Sequence, residues 1–574
     1  MFLLYYFLVP LLFLSPNLKN IKKSANIFRY IIGLAFSFLI FYVFKMDKSI
    51  SLVISILGVA GVFQIVMAII ESGIDFKNRA QNKGQFKFMI LIGVIFLLVA
   101  GVYNTIPYSI GQTKKLYGMV NAKESDEKSP KVNTENIIIV PPETAYYQMQ
   151  NMIGSLPNPS FYKIGQLNLT KTPQGAYYVA PIEFEGNIKA LLNRKSPGIV
   201  YVSAERLEEP KIIEVEYNHS ESLLFNNNIY RKMRSVKQDS ILLNANIELD
   251  DTLKPYYIGS YGHYKYGRNG IEVDGVIVYE LETGETKTYP KDKTPEWIDQ
   301  IYTYDVAEQY NEFQGRYKKG LINSKIGQKE VHIPTNWSSG LSINGLEIES
   351  TQVVPVVGND GEMYFFTDHT NTSENSTTMT GYTLMDSRTG EMVYYKTPGL
   401  LNGQGAMNSV EKLLGADKAN WATSQPILYN VYGVDTWIVP VINRTDGSFV
   451  KLGLVAAESK YSMLADNKTD LLDSFKKAIA EGKINSSSDV KISNDSDSIK
   501  EKEISGTIWR INQTSEDGKA IFYIKLEENE KIFMINKNLS PEVILARDGD
   551  KITLKYIDME EQQVLSVTSF NINE

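Results

Sequence analysis

Residues 381–399 read GYTLMDSRTGEMVYYKTPG, and residues 275–290 read GVIVYELETGETKTYP. Each stretch opens on a glycine (Gly275, Gly381) and runs through apolar and aromatic residues. It then reaches Thr-Gly-Glu (Thr283-Gly284-Glu285, Thr389-Gly390-Glu391) and a tyrosine (Tyr289, Tyr395), at the same offsets in both. Two β-prone runs around a glycine that tolerates positive φ predict a hairpin, with Thr and Glu on the shoulders of the turn. A looser copy carries Thr445-Asp446-Gly447 between strand-like runs, and the stretch from Gly198 keeps only the apolar pattern. Recurrence at this spacing predicts duplicated domains rather than a solenoid. Glu285 and Glu391 together would suit a glycosidase-type acid–base pair. One active site does not need its acid in every copy, so the repeated Thr-Gly-Glu reads as turn chemistry.

Outward from the hairpins, helical and strand patterns alternate. PPETAYYQMQNMIGSL (141–156) predicts a helix, followed by the strand-like FYKIGQLNLT, AYYVAPIEFE and GIVYVSAER. ESLLFNNNIYRKMRS (221–235) predicts a second helix, ahead of PYYIGSYGHYKY. In TPEWIDQIYTYDVAEQYNEFQGRY, Thr294 suits an N-cap and Pro295 the first helical position. MYFFTDHT is strand-like and MNSVEKLLG helical. In SMLADNKTDLLDSFKKAIAEG a final helix would place Leu464, Leu471, Leu472, Phe475 and Ile479 on one stripe.

A strand of the form YY-x-V, a helix before it and an apolar strand ending in x-x-x-TGE resemble the PepSY type of domain. The resemblance covers residues 137–483 as three or four units. It implies small α+β units, related in shape to cystatins, outside the membrane of bacterial envelope proteins. The implied roles are inhibitory, chaperone-like or wall-associated binding, with no catalytic residue to carry over.

The first hundred residues are of another kind. Four apolar stretches, at about 2–14, 30–44, 50–70 and 88–103, predict four transmembrane helices, the first being short and carrying Pro10. Lys19, Lys22, Lys23 and Arg29 lie in one intervening loop, and Lys77, Arg79, Lys83 and Lys87 in another. The positive-inside rule puts both in the cytoplasm, and hence the N-terminus and everything after Tyr103 outside. Gln64 is the one clear polar side chain expected in a span, which favours anchoring over transport. Gly58 and Gly61 suit close helix packing.

The expected organisation is four transmembrane helices (1–104), a flexible stalk (105–136), α+β unit 1 (137–218), PepSY-like unit 2 (219–293), PepSY-like unit 3 (294–400), α+β unit 4 (401–484), a polar linker (485–502) and a five-stranded barrel (503–574). The barrel strands ISGTIWRIN, AIFYIKLEE, EKIFMIN, KITLKYI and QQVLSVTSF, with a Gly549-Asp550 turn, resemble an OB-type fold.

The absence of cysteine among 574 residues excludes disulfides, thiolate catalysis and cysteine-ligated zinc. The formal net charge of -7, with both signs mixed along the chain, argues against a nucleic-acid partner. The four histidines, His219, His263, His332 and His369, fit no metal spacing. Asp368-His369 lacks a G-x-S-x-G elbow and reads as part of a solvated polar loop. Asp495 and Asp497 miss the remaining calcium-loop positions. Trp297, Trp337, Trp421 and Trp437 would serve as sugar-stacking platforms, or ordinarily as core. No catalytic, cofactor or metal residue is expected. The composition fits a bacterial, Gram-positive-type envelope protein or one encoded by a resident phage or plasmid. The expected function is a non-enzymatic membrane protein whose ectodomain is a scaffold or binding module for a protein partner or wall polymer. Regulating or inhibiting an envelope hydrolase, and a subunit role in a transport or conjugation complex, are the alternatives. The lipid bilayer is a partner in every reading, and homo-oligomerisation stays open.

Overall fold

The computed structural model describes residues 4–15, 23–74, 79–106, 109, 111–127, 132–192, 195–337, 342–343, 346–347, 352–373, 376–484, 501–516, 519–536, 541–557 and 563–573. It combines apolar N-terminal helices, a large α+β region of antiparallel sheets, and a C-terminal barrel.

Three helical segments are long and apolar enough to cross a membrane: Ala25–Val43, Ile50–Ser72 and Gly84–Thr105. They belong to α2 (Lys23–Phe38, extended by a π-turn to Val43), α3 (Ile50–Ile74) and α4 (Arg79–Thr105). The expectation of a fourth span at 2–14 does not hold. That stretch gives only α1 (Tyr5–Leu8) and a 3₁₀ turn, Val9–Phe13, with Pro10 at its start. Proline removes an amide donor and prevents a continuous helix. Packing of α3 on α4 uses the small residues: a Cβ on Gly61 would lie 2.6 Å from the Gly93 carbonyl, and one on Gly93 2.8 Å from that of Gly61.

The apolar bundle is not free of charge, contrary to expectation. Arg29 lies inside α2 rather than in a loop and is fully buried, 2.9 Å from Glu71 of α3. Its Nη1 donates to Gln64 Oε1 (2.8 Å), while Gln64 Nε2 donates to the carbonyls of Leu12 (3.0 Å) and Leu14 (2.7 Å). The carbonyls that the broken N-terminal stretch cannot bond internally are thus satisfied by Gln64, as burial in an apolar surrounding demands.

The described residues of 105–136 are not a free stalk. Helix α5 (Thr113–Val120) buries Leu116 and Val120 in a core of the α+β region, and β1 (Lys123–Ser125) pairs in parallel with a strand of the third sheet. The α+β region also rests directly on the loop between α2 and α3 and on the first turn of α3. Lys48 N–H donates to Gln238 O (2.7 Å), Lys45 Nζ to Asn228 Oδ1 (2.6 Å), Arg268 to Asp47 (3.1 Å) and Ser51 Oγ to Gly267 O (3.0 Å).

Four helix-plus-sheet sets follow, and all four share one topology. In each, two short strands pair with opposite halves of the same long strand, which is followed by two antiparallel neighbours; in the third set β1 adds in parallel beyond the last of them. The first set is α6 (Pro142–Ile153) with β2 (Tyr162–Ile164), β3 (Asn168–Thr172), β4 (Gly175–Phe184), the crossing helix α7 (Asn187–Leu192), β5 (Ser196–Ser203) and β6 (Lys211–Tyr217). The second is α8 (Ile229–Val236) with β7 (Ile241–Leu242), β8 (Asn246–Leu249), β9 (Pro255–Tyr266), β10 (Asn269–Glu280) and β11 (Thr286–Pro290). The third is α9 (Tyr304–Tyr317), the turn α10 (Gly320–Ile322), β12 (Ile333–Pro334), the small ribbon β13 (Ser342–Ile343) and β14 (Leu346–Glu347), then β15 (Val354–Val357), β16 (Met363–Thr370), β17 (Met379–Asp386) and β18 (Met392–Lys396). The fourth is α11 (Gly403–Leu414) with β19 (Trp421–Thr423), β20 (Ile427–Val431), β21 (Val434–Asn443), β22 (Phe449–Ala456) and β23 (Ser462–Ala465), closed by α12 (Lys468–Ala480). Buried aliphatic residues of the first, third and fourth sets form one core; the second joins the third through another and the first through a third.

Two helix starts differ from expectation. The 294–303 stretch is not helical, and the N-cap of α9 is Thr303, whose hydroxyl accepts from Val306 N–H. The amides upstream are already used: those of Asp299 and Gln300 bond Glu248, and those of Ile301 and Tyr302 bond Ser387 O. Likewise Leu464 lies in strand β23, paired with β22, and Asn467 caps α12.

The C-terminal strands β24 (Glu501–Glu516), β25 (Lys519–Leu526), β26 (Ile532–Asn536), β27 (Lys551–Ile557) and β28 (Val564–Ile572) close as a barrel in the order β24-β25-β26-β28-β27, with β26 and β28 parallel. Asp495, Asp497 and residues 485–500 of the expected linker lie outside the described residues.

Candidate functional site

The two Thr-Gly-Glu stretches form the β10–β11 and β17–β18 hairpins with matching backbone bonds. Glu280 N–H donates to Glu285 O (3.0 Å) and Gly284 N–H to Glu280 O (2.9 Å); Asp386 N–H donates to Glu391 O and Gly390 N–H to Asp386 O (both 2.9 Å). Asn443 repeats the pattern with Ser448 and Gly447 in the β21–β22 turn. The turn glycines have φ of +73°, +76° and +79°, a region that costs any L-residue with a side chain. The leading glycines have their own reason. A Cβ on Gly275 would strike the Tyr289 carbonyl of β11, and one on Gly381 the Tyr395 carbonyl of β18.

Glu285 and Glu391 sit at the tips of separate hairpins, more than half exposed, beside Lys287 (3.3 Å) and Lys123 (2.8 Å). They are not brought together as an acid–base pair. The second tip is nonetheless more than a turn. Arg388 donates to the carbonyls of Thr294, Pro295, Glu296 and Ile298, Ser387 Oγ to Asp299 O (2.5 Å), and Gly390 lies against the Tyr302 ring. This tip clamps the connection between the second and third sets.

The sheet face beside each hairpin is the same surface in two copies. In the second set Tyr256, Val278, Glu280, Glu285, Lys287 and Tyr289 line a cavity of about 160 Å³ together with Pro295 and Trp297, whose ring lies 4.7 Å from that of Tyr256. In the third set Tyr364, Leu384, Asp386, Glu391, Val393 and Tyr395 hold the matching positions. There the chain leaves β18 toward the fourth set, and a cleft of about 470 Å³ stays open between the sheet and β20. Phe366 and Tyr382 complete its aromatic floor, with Tyr382 stacked on Tyr395 at 5.1 Å.

The electrostatics diverge as well. In the second copy, Lys254 pairs with Glu280, and Lys287 with Glu285. The corresponding positions in the third copy are Glu362 and Val393. Among the described residues the cleft lining contains Asp360, Asp386 and Glu391 but no lysine, arginine or histidine, while Lys123 pairs with Glu391 from beside it. Burial and Asp360, which accepts from the Tyr364 hydroxyl at 2.5 Å, push that phenol's pKa up. The site is therefore an aromatic trough with a carboxylate rim, suited to an apolar group carrying positive charge.

Asp368-His369 is neither a loop nor half of a triad. Both residues lie in β16, fully buried, and alternation sends them to opposite faces. Asp368 accepts from Gly403 N–H (3.0 Å) at the start of α11, and burial pushes its carboxyl up to about 6. His369 Nε2 lies 2.9 Å from Asn311 Oδ1, an acceptor, so Nε2 carries the proton. Its Nδ1 then accepts from His332 Nδ1, 2.8 Å away, and both imidazoles are neutral. Burial lowers His332 to about 4 and His369 further. The signal for this pair was the alternation Phe365–Thr367–His369, which places His369 inward. Elsewhere, His219 lies 2.9 Å from Tyr279 Oη, and His263 is exposed beside Asp274. Trp437 and Trp337 are buried core, while Trp421 is half-buried. Among the described residues no three metal-binding side chains converge.

No family model and no curated protein matches the chain. Among solved structures it is similar at 9% identity to a polysaccharide lyase, covering 69% of this chain and 59% of that one, with a TM-score of 0.16. A dihydro-heme d1 dehydrogenase matches at 11% identity over 52% of this chain and 57% of that one (TM-score 0.15). An apocarotenoid oxygenase from Synechocystis matches at 7% over 53% of each (TM-score 0.13). The chain thus spans under two thirds of each of these proteins, and likeness at this level carries no statement about fold or chemistry.

Proposed function

We propose that this protein is a membrane-anchored, non-enzymatic scaffold whose extracytoplasmic domain captures an extended, apolar and basic segment of a protein partner in the cleft of the third sheet. The observation that carries this reading is the divergence between the duplicated faces. One copy holds a cavity of about 160 Å³ narrowed by Trp297 and carries Lys254–Glu280 and Lys287–Glu285 pairs; the other holds a cleft of about 470 Å³ lined by Asp360, Asp386 and Glu391, of which Glu391 pairs with Lys123. Three apolar helices supply the anchor. Arg79, Lys83 and Lys87 at the start of α4 face the cytoplasm by the positive-inside rule, which leaves the sheets outside. The N-terminal segment returns toward the same outer side, with Lys48 over the Tyr6 ring at 4.9 Å.

The four sets read as PepSY-like units, supported by their helix-then-sheet order and by the shared hairpin. The barrel reads as OB-like, supported by its strand order. Its place outside the cell and its acidic composition favour an interaction module over nucleic-acid binding.

The test uses the full-length protein in nanodiscs and a set of fluorescent peptides alternating apolar residues with lysine. Binding that is lost in Leu384→Trp, which narrows the cleft as Trp297 narrows its twin, supports the reading. Binding to isolated wall polymer instead, or peptide binding indifferent to Leu384→Trp, overturns it. Sidedness has a separate check. A single cysteine at Asp126, exposed beside β1, reacts with an impermeant thiol reagent on intact cells; labelling only after lysis would refute it.

A further inference from the structure

The ectodomain's first set carries an apolar surface that the cleft does not explain. In α7, Ile188, Leu191 and Leu192 are 76%, 59% and 75% exposed, while Ala190 alone turns inward against Phe184 and Leu223. Two residues beyond Leu223, Phe225 is 60% exposed and held at φ +54°. That backbone region is costly for a bulky residue, and here the strained conformation presents an aromatic ring to the outside. Lys189 lies within the same helix and Lys195 follows it, so basic residues accompany the apolar ones.

The height of this surface is fixed by established contacts. Phe225 is three residues before Asn228, the N-cap of α8, which accepts from Lys45 just beyond the second apolar segment. One turn into α8, the Arg231 guanidinium lies 4.2 Å from the centre of the Tyr42 ring, at the end of that same segment. Asn228 in turn donates to Glu221 O (2.9 Å), and Ser222 Oγ accepts from Phe184 N–H (3.1 Å), which ties the loop to the strand leading into α7. The exposed side chains therefore belong to the loop and helix that these contacts tie to the span end, where Phe44 is itself 61% exposed. Exposed leucine, isoleucine and phenylalanine with lysine beside them match an interfacial membrane contact.

We infer that α7 and Phe225 insert into the outer-leaflet interface and hold the first set down on the bilayer as a second anchoring point. This rests on the membrane-anchored reading, and the experiment separates the two. The chain has no cysteine, so single cysteines at Leu192, Phe225, Phe44 and, as a distant barrel control, Ile544 accept an environment-sensitive fluorophore without background. The full-length protein is reconstituted into vesicles of phosphatidylcholine and phosphatidylglycerol, with and without a lipid carrying a quencher near the headgroup. Blue-shifted emission and quenching at Leu192 and Phe225, comparable to Phe44 and several-fold above Ile544, is the expected result. Quenching at Phe44 with Leu192 and Phe225 no higher than Ile544 overturns the second anchor and leaves the spans intact. No quenching at Phe44 overturns the membrane reading itself.

Discussion

The hairpins at Thr283-Gly284-Glu285 and Thr389-Gly390-Glu391 share sequence, backbone bonds and turn geometry, yet the chain uses them differently. The first tip points to solvent, and the face beside it carries a cavity of about 160 Å³ narrowed by Trp297. The second is gripped by the connection it clamps, and the face beside it carries a cleft of about 470 Å³. Gly284 meets only the Tyr279 hydroxyl, at 3.6 Å from an added Cβ, whereas Gly390 is covered by the Tyr302 ring. A motif repeated for folding has been kept in both places, while the surroundings have specialised. The motif alone therefore says nothing about which copy carries function.

The sharpest way to break this comparison is to add one carbon to each turn. Both glycines have positive φ, so Gly284→Ala should cost about 1 kcal/mol from backbone strain alone. Gly390→Ala adds a collision with a ring that is 5% exposed, edge-on to Tyr310 and hydrogen-bonded through its hydroxyl to Lys291 at 3.0 Å. The expected total is about 3–4 kcal/mol. Denaturant unfolding of both variants in detergent checks the ordering; equal losses would mean that the second tip is not clamped.

The third set alone holds the His332–His369 pair, since Tyr261 occupies the position of His369 in the second. His332 titrates at about 4 in the fold against 6.5 unfolded, so the unfolded chain binds more protons across that window. Stability from the pair is present above pH 6.5 and is lost as pH falls toward 4, by up to about 3 kcal/mol for His332. Asp368 and Asp299, raised to about 6, and Glu221, raised to about 7, act in the opposite sense. Their contribution is present at acid pH and is lost as pH rises through their folded values. The histidine part is therefore read by difference: His332→Gln/His369→Gln should flatten the fall of unfolding midpoint between pH 6.5 and 4. An unchanged slope would remove the neutral pair.

Local chemistry was legible in the sequence; long-range satisfaction was not. The Thr-Gly-Glu hairpins follow from glycine, β-prone runs and their spacing, all within twenty residues. Thr294-Pro295 had equally good local credentials as a helix start and failed, because the amides after it are taken by Glu248 and by Ser387. Arg29 counted as a loop charge on local composition, but Glu71 and Gln64, far along the chain, draw it into the apolar bundle. The cleft was invisible for a related reason. Its floor comes from the motif, whereas its openness depends on where the chain goes after Lys396, and no residue near the turn records that path.

Trp297 offers a smaller test in the opposite direction. Trp297→Ala should cost roughly 1–2 kcal/mol, since the ring is half-buried. It should also enlarge the second-copy cavity toward the size of its twin. If cavity size is what distinguishes the faces, this variant gains weak binding of apolar, lysine-bearing peptides; if charge is required too, Trp297→Ala gains nothing until Lys254 and Lys287 are also neutralised. Titration of both variants with the same peptide separates shape from charge.

The smallest effect on stability is expected at the two glutamates that first drew attention. Glu285 and Glu391 are exposed and bonded only to exposed lysines, where solvent screens the pair, so Glu285→Gln and Glu391→Gln should leave the unfolding midpoint unmoved. Their effects on binding should differ. Glu391 lies on the cleft rim with Asp360 and Asp386, so Glu391→Gln weakens a basic peptide several-fold at low ionic strength, a loss that shrinks as salt shortens the reach of the field. Glu285, beside a smaller cavity and its own lysine, should leave the affinity unchanged. Equal losses at both positions would restore symmetry between the copies and remove the ground for placing function in the third set.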